Sequence, residues 1–162
     1  MGKKRLLALM LVLVALALVA CAPAAPDTPD DPEDATPKVD QTQYVYDLFQ
    51  GEETSAEDGE KIILALANID WGEYGRISRI NETEPFELLD WLYHQEISGD
   101  EQIRSLQQGT RGLDGAYADS YSSILTRVFL ADQIKFFSLL GELDAEQVSS
   151  VVHLVAYGCW QE

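Results

Sequence analysis

Proline is so unevenly distributed along this chain that it confines where a fold can form. Five of the six prolines, Pro23, Pro26, Pro29, Pro32 and Pro37, lie close together, and the sixth, Pro85, stands alone in everything that follows. Proline lacks a backbone donor and breaks helix interiors. Between Ala22 and Gln43 the prolines are interleaved with Asp27, Asp30, Asp31, Glu33, Asp34 and Asp40, and almost nothing there is apolar beyond Ala and Val39. Such a segment buries too little surface to offset its ordering entropy. It is expected to be a disordered, semi-extended spacer, whose roughly twenty residues reach about 60 to 70 Å in polyproline geometry.

Downstream of the spacer, from Tyr44 to Glu162, apolar residues recur at helical spacing. Ile62, Leu66 and Ile69 form one stripe with Ile63 and Ala67 beside it; Leu89, Tyr93 and Ile97, flanked by Leu88 and Leu92, form another. Val148, Val151, Val152 and Val155 form a third. Between Ile124 and Leu140 apolar residues nearly encircle the helix, leaving a polar strip through Ser123, Arg127 and Ser138, so this helix is expected at the centre.

Start and stop signals agree with these periods. Thr83-Glu84-Pro85, Ser98-Gly99-Asp100-Glu101 and Asp144-Ala145-Glu146-Gln147 each offer a cap or an acidic first turn. Gly141 and Gly158 stand where helices are expected to end, and a break is expected around Gly109, Gly112 and Gly115. The fold class is therefore all-α: a compact irregular bundle of about five to seven helices. A short repeat of HEAT or armadillo type is the alternative, because Glu60-Lys61-Ile62, Glu101-Gln102-Ile103 and Glu146-Gln147-Val148 recur at spacings in the range of such repeats.

The amino terminus has a different character. Lys3, Lys4 and Arg5 precede an uncharged run from Leu6 to Val19, the basic and apolar regions of an export signal. The run is at or below the short end of the membrane-spanning range, which disfavours the alternative of an uncleaved membrane helix. Leu18-Val19-Ala20-Cys21 closes it, and over these first 21 residues the chain resembles a bacterial lipoprotein precursor with its lipobox. The resemblance implies that a diacylglyceryl group is attached to the Cys21 thiol and that a dedicated peptidase cleaves before it, leaving a new amino terminus open to acylation. The implied organisation is a signal peptide at 1–20, a lipid-anchored spacer at 21–43 and a helical domain at 44–162. The implied location is the bacterial cell membrane, with the domain exported and held there by its N-terminal lipid.

Charge limits the partners. With 11 Lys+Arg against 28 Asp+Glu, the formal net charge is −17, and the segment from Tyr44 onward holds 7 basic and 22 acidic residues. Nucleic acid is not an expected partner, since affinity for a polyphosphate rests on Lys and Arg. About 119 residues are too few for the two lobes of a solute receptor. The chain lacks a G-x-S-x-G elbow, a phosphate-binding Gly-rich loop and an H-E-x-x-H motif. No cofactor or metal site is expected: His153 and Cys159 would need carboxylates from elsewhere, and the acids from Glu52 to Glu60 lack the EF-hand pattern. His94 follows Asp90 by one helical turn, an arrangement more often found on a plain surface than in base catalysis. With Cys21 acylated, Cys159 has no partner within the chain and is expected as a small apolar core residue.

One cluster remains as a candidate binding site. Asp70, Trp71, Glu73 and Tyr74 place two aromatic rings beside two carboxylates, as a sugar-stacking platform would, and equally as two residues packing a helix end onto the core would. Two functions follow. The favoured one is a non-catalytic binding or interaction module, tethered at the cell envelope and recognising an envelope protein or ligand. The alternative is a small envelope hydrolase or ligand-binding protein using carboxylates near Trp71.

Overall fold

Helix starts in this chain are set largely by short acidic or hydroxyl side chains that accept from the first free N–H groups. The structure, a computed structural model, describes residues 40–49, 51–113 and 115–161, so the expected signal peptide, Cys21 and nearly all of the spacer lie outside the described residues. Asp40 caps the first helix, α1 (Gln41–Leu48), accepting from Thr42 N at 3.0 Å and Gln43 N at 3.3 Å. The helical domain thus opens at Gln41, three residues before the expected boundary. Ser55 caps α2 (Ala56–Ala65), and Asp70 caps α3 (Trp71–Ile80) through Glu73 N at 2.9 Å. A turn of 3-10 helix, Leu66–Asn68, joins those two.

Pro85 does not open a helix directly. The next helix, α4 (Glu87–His94), begins two residues later without a side-chain cap, and Thr83 instead closes α3, donating through both its N and its Oγ1 to Ser78 O. In α5 (Asp100–Gln108) the cap residue is Gly99 rather than Ser98 and has no side chain to accept with; instead Gln102 Oε1 reaches back and accepts from Gly99 N at 3.1 Å. The expected break around Gly109 and Gly112 is present as consecutive turns, after which α6 (Gly115–Ala131) begins.

The expected single helix from Ile124 to Leu140 is two. Asp132 leaves helical geometry at φ −151° and its side chain caps α7 (Gln133–Leu140) through Lys135 N at 3.0 Å, so a local hydrogen bond wins over continuation. Asp144 then caps α8 (Ala145–Gln161) as expected. Gly158 does not end that helix. It lies where α8 crosses α6, so closely that an added Cβ would stand 2.9 Å from Ser122 O and collide with the Thr126 hydroxyl.

Eight α-helices and no strand are present among the described residues, which fall in one compact unit, Lys38–Glu162. The fold is an all-α helical bundle, with one helix more than the expected upper count because of the break at Asp132. The triplets behind the repeat reading are out of phase with the helices: Glu60 is the fifth residue of α2, whereas Glu101 and Glu146 are each the second of theirs. On one side α1 packs on α2 and α3; on the other α6 packs on α8, α4 and α7. Between them lies α5, which touches α2, the Leu66–Asn68 turn, α6, α7 and α8. Ile103 and Leu106 supply its buried apolar contacts, and Gln107, fully buried, donates to Phe136 O at 2.9 Å.

Candidate functional site

The aromatic cluster read from the sequence sits at the C-terminal end of α5. A helix leaves its last carbonyls without intrahelical partners. Here they are taken up by side chains: Tyr121 Oη donates to Leu106 O at 2.8 Å, Thr110 Oγ1 to Gln107 O at 3.0 Å, and Trp71 Nε1 to Gly109 O, just beyond the helix, at 2.7 Å. Trp71 is 1% exposed and Tyr74 2%. The Trp71 ring meets Tyr74, Tyr117 and Tyr121 at centroid distances of 5.4 to 6.2 Å. Burial pushes the Tyr74 and Tyr121 hydroxyls above the ordinary tyrosine range.

Of the expected binding residues Asp70, Trp71, Glu73 and Tyr74, the two aromatic rings are therefore buried. A sealed ring has no face to offer a sugar. Asp70 is occupied as the α3 cap, and Glu73 is held in an ion pair by Arg76, whose guanidinium keeps the carboxyl below its ordinary range. The rings do what the other reading anticipated and pack a helix end onto the core. His94 and Asp90 stand 4.0 Å apart with both side chains largely in solvent. Cys159 is exposed rather than buried, because α8 turns that side away from α6. Cys21 lies outside the described residues.

A second aromatic and acidic grouping, of which the sequence singled out only Tyr74 as a binding candidate, lines an open groove between α1 and α4. Two concavities, about 460 and 590 Å³, share Phe49, Gly51 and Glu87 along their boundary. The first adds Tyr46, Asp47, Thr83, Glu84 and, at its floor, the largely buried Tyr74; the second adds Glu52, Asp90, Trp91 and His94. Each wall is fixed from below. Tyr46 rests edge-on against Tyr74 at 6.1 Å, and Phe49 against Trp91 at 5.8 Å. Gly59 of α2 lets the Trp91 ring come close to that helix, since a Cβ there would stand 3.0 Å from the indole. Gly51 turns the chain at φ +60°, a conformation few other residues adopt, and places the Gly51–Glu53 turn against α4.

Among the described residues, no lysine or arginine lines this groove. Several basic side chains are engaged elsewhere: Lys61 with Glu57 and Asp58, Arg76 with Glu73, Arg104 with Glu142, Arg111 with Asp144, and Lys135 with Asp100, while Arg79 is exposed on α3 and is not among the groove-lining residues. Arg127 donates to Gln95 O at 2.6 Å and covers the Tyr93 ring at 5.5 Å. The signal that could have found the groove is the outward pair Glu87 and Asp90 beside Trp91 on a helix whose inward face is Leu88, Leu89 and Leu92. Its opposite wall comes from α1, far away in sequence. Among the described residues, no helix is long and apolar enough to cross a membrane, and no group of three His, Cys, Asp or Glu side chains is placed to hold a metal. No protein-family model matches the chain, and neither does any of the curated proteins or solved structures compared with it.

Proposed function

We propose that this chain is the precursor of a lipoprotein held at a bacterial cell membrane by acylated Cys21, and that its helical domain is a non-catalytic interaction module displayed on an acidic tether. The observation that carries the anchor is the sequence itself: Lys3-Lys4-Arg5, an uncharged run to Val19, and Leu18-Val19-Ala20-Cys21. Two or more acyl chains at about 0.8 kcal/mol per buried methylene hold a protein far more firmly than one. The spacer sets the reach, and confinement to that radius raises the effective concentration of the module for any envelope partner.

Support for the module comes from the open, acid-rimmed groove with aromatic walls. The module is favoured over the alternative hydrolase by the commitments of the residues near Trp71: Asp70 caps α3, Glu73 pairs with Arg76 and Trp71 is buried in the core. Metabolic labelling with a fatty-acid analogue tests the anchor. Wild type should take up the label and Cys21→Ser should not; equal labelling of both overturns it. Site-specific photo-crosslinking in intact cells from position 87, with position 101 as control, tests the module. A discrete crosslinked protein from position 87 alone is the expected result, and identical products from both positions would overturn the assignment.

A further inference from the structure

We infer that the groove between α1 and α4 receives an arginine- or lysine-bearing peptide segment of the partner protein. This rests on the interaction-module reading above and names the chemistry of its occupant.

Three features of the groove favour such a segment. The first is charge: Glu52, Glu84, Glu87 and Asp90 line the two concavities with no lysine or arginine among the described lining residues, His94 stands 4.0 Å from Asp90 as a group charged only when protonated, and Lys61, Arg104, Arg111 and Lys135 are committed to other contacts. Carboxylates left without a counter-ion repel one another and gain most from a cation supplied from outside. The second is the wall. Phe49 and Trp91 stand edge to face at 5.8 Å and are only partly buried, so they offer ring surface to a guanidinium plane or to the alkyl stem of a lysine. A carboxylate beside an aromatic face is a poor seat for an anion or a neutral apolar group and a good one for such a cation.

Shape is the third. The carboxylates are strung along two joined concavities rather than gathered on a point, and no set of three is placed to hold a metal ion among the described residues. A ligand that satisfies both concavities must carry more than one cation, spaced along a chain. Preformed walls also favour binding, because ordering costs are small where the site already exists. Tyr46 leans on the buried Tyr74, and Trp91 lies over Gly59.

The test titrates a ten-residue arginine peptide into the full chain in non-ionic detergent by calorimetry, with a ten-residue glutamate peptide and spermine as comparisons. The arginine peptide should bind, the glutamate peptide should not, and added salt should weaken binding. The double variant Glu87→Gln with Asp90→Asn should lower affinity about tenfold, whereas Glu101→Gln with Glu146→Gln, which removes the same charge elsewhere, should change it less than about twofold. Trp91→Leu, checked for folding by circular dichroism, should also weaken binding. Equal losses in the two double variants would make the attraction a property of net charge and overturn the inference. So would absence of binding, or spermine binding as tightly as the peptide, which would assign the groove to a small polycation. None of these outcomes bears on labelling at Cys21 or on crosslinking, so the broader reading stands or falls separately.

Discussion

Two parts of this molecule are built from the same residue types and are used in opposite ways. At the end of α5, Trp71 and Tyr74 stand beside Asp70 and Glu73; along the groove, Phe49 and Trp91 stand beside Glu87 and Asp90. In the first the rings are sealed and the acids are spent on a cap and an ion pair. In the second the rings are half covered and the acids face solvent. What separates them is what the aromatic nitrogen and ring are asked to satisfy. Trp71 Nε1 closes an orphan carbonyl beyond α5, which needs the whole ring inside. Trp91 rests on Gly59 and Phe49 at the margin of the core and stays partly open.

The largest expected effect tests that contrast directly. Trp71→Ala should destabilise the fold by about 3–5 kcal/mol in chemical denaturation, through lost packing and a stranded Gly109 carbonyl. Trp91→Ala, half exposed from the start, should cost about 1–2 kcal/mol. Equal costs would abolish the distinction between core and groove. Next in size come the glycines. An alanine at Gly109 would put its Cβ 2.6 Å from Tyr121 Oη and 2.8 Å from Leu66 O, an overpacking that should cost about 1–3 kcal/mol. At Gly51 nothing lies within 4 Å, so alanine there should cost only the left-handed backbone, about 1 kcal/mol. Asp70→Ala should then remove a helix cap worth about 1 kcal/mol.

How much of this was legible in the sequence follows from the range over which each signal acts. Fold class was legible, because burial of Ile62, Leu66, Leu88, Leu92 and Val151 writes a helical period into neighbouring positions. The caps at Asp144 and the break after Gly109 are equally local. The split at Asp132 was hidden because apolar residues run on through it, and periodicity cannot register one side chain choosing its own backbone. The role of α5 was hidden for the opposite reason. Its sequence, Asp100–Gln108, is mostly polar, yet Leu106 and Gln107 are fully buried, since its neighbours supply apolar surface and hydrogen-bond partners. Which tryptophan keeps an open face was hidden on the same principle: Trp71 and Trp91 look alike beside their acids, and tertiary packing buries the first and leaves the second partly open.

The smallest expected effect concerns the acids themselves. Arg76 donates to Glu73 and holds its carboxyl below the ordinary value of 4.5. A group whose pKa is lowered by folding adds stability that is present above its unfolded pKa and is lost as pH falls through the lower folded value. Wild type should therefore be slightly more stable than Glu73→Gln at about pH 7, and the difference should shrink as pH falls below 4.5 and vanish once the lowered folded value is passed and both chains carry a neutral group at that position. The pair is exposed, so the gap is a small one. Glu87→Gln should behave differently at neutral pH, because among the groove-lining residues no lysine or arginine stands beside it. Stability should move by no more than about 0.5 kcal/mol, while affinity for a basic peptide falls. Parallel denaturation curves of the two variants across pH read this out. A Glu87→Gln chain that loses stability at neutral pH and regains wild-type behaviour in acid would mean that this acid, like Glu73, already serves the fold, and the groove would have no charge to spare for a partner.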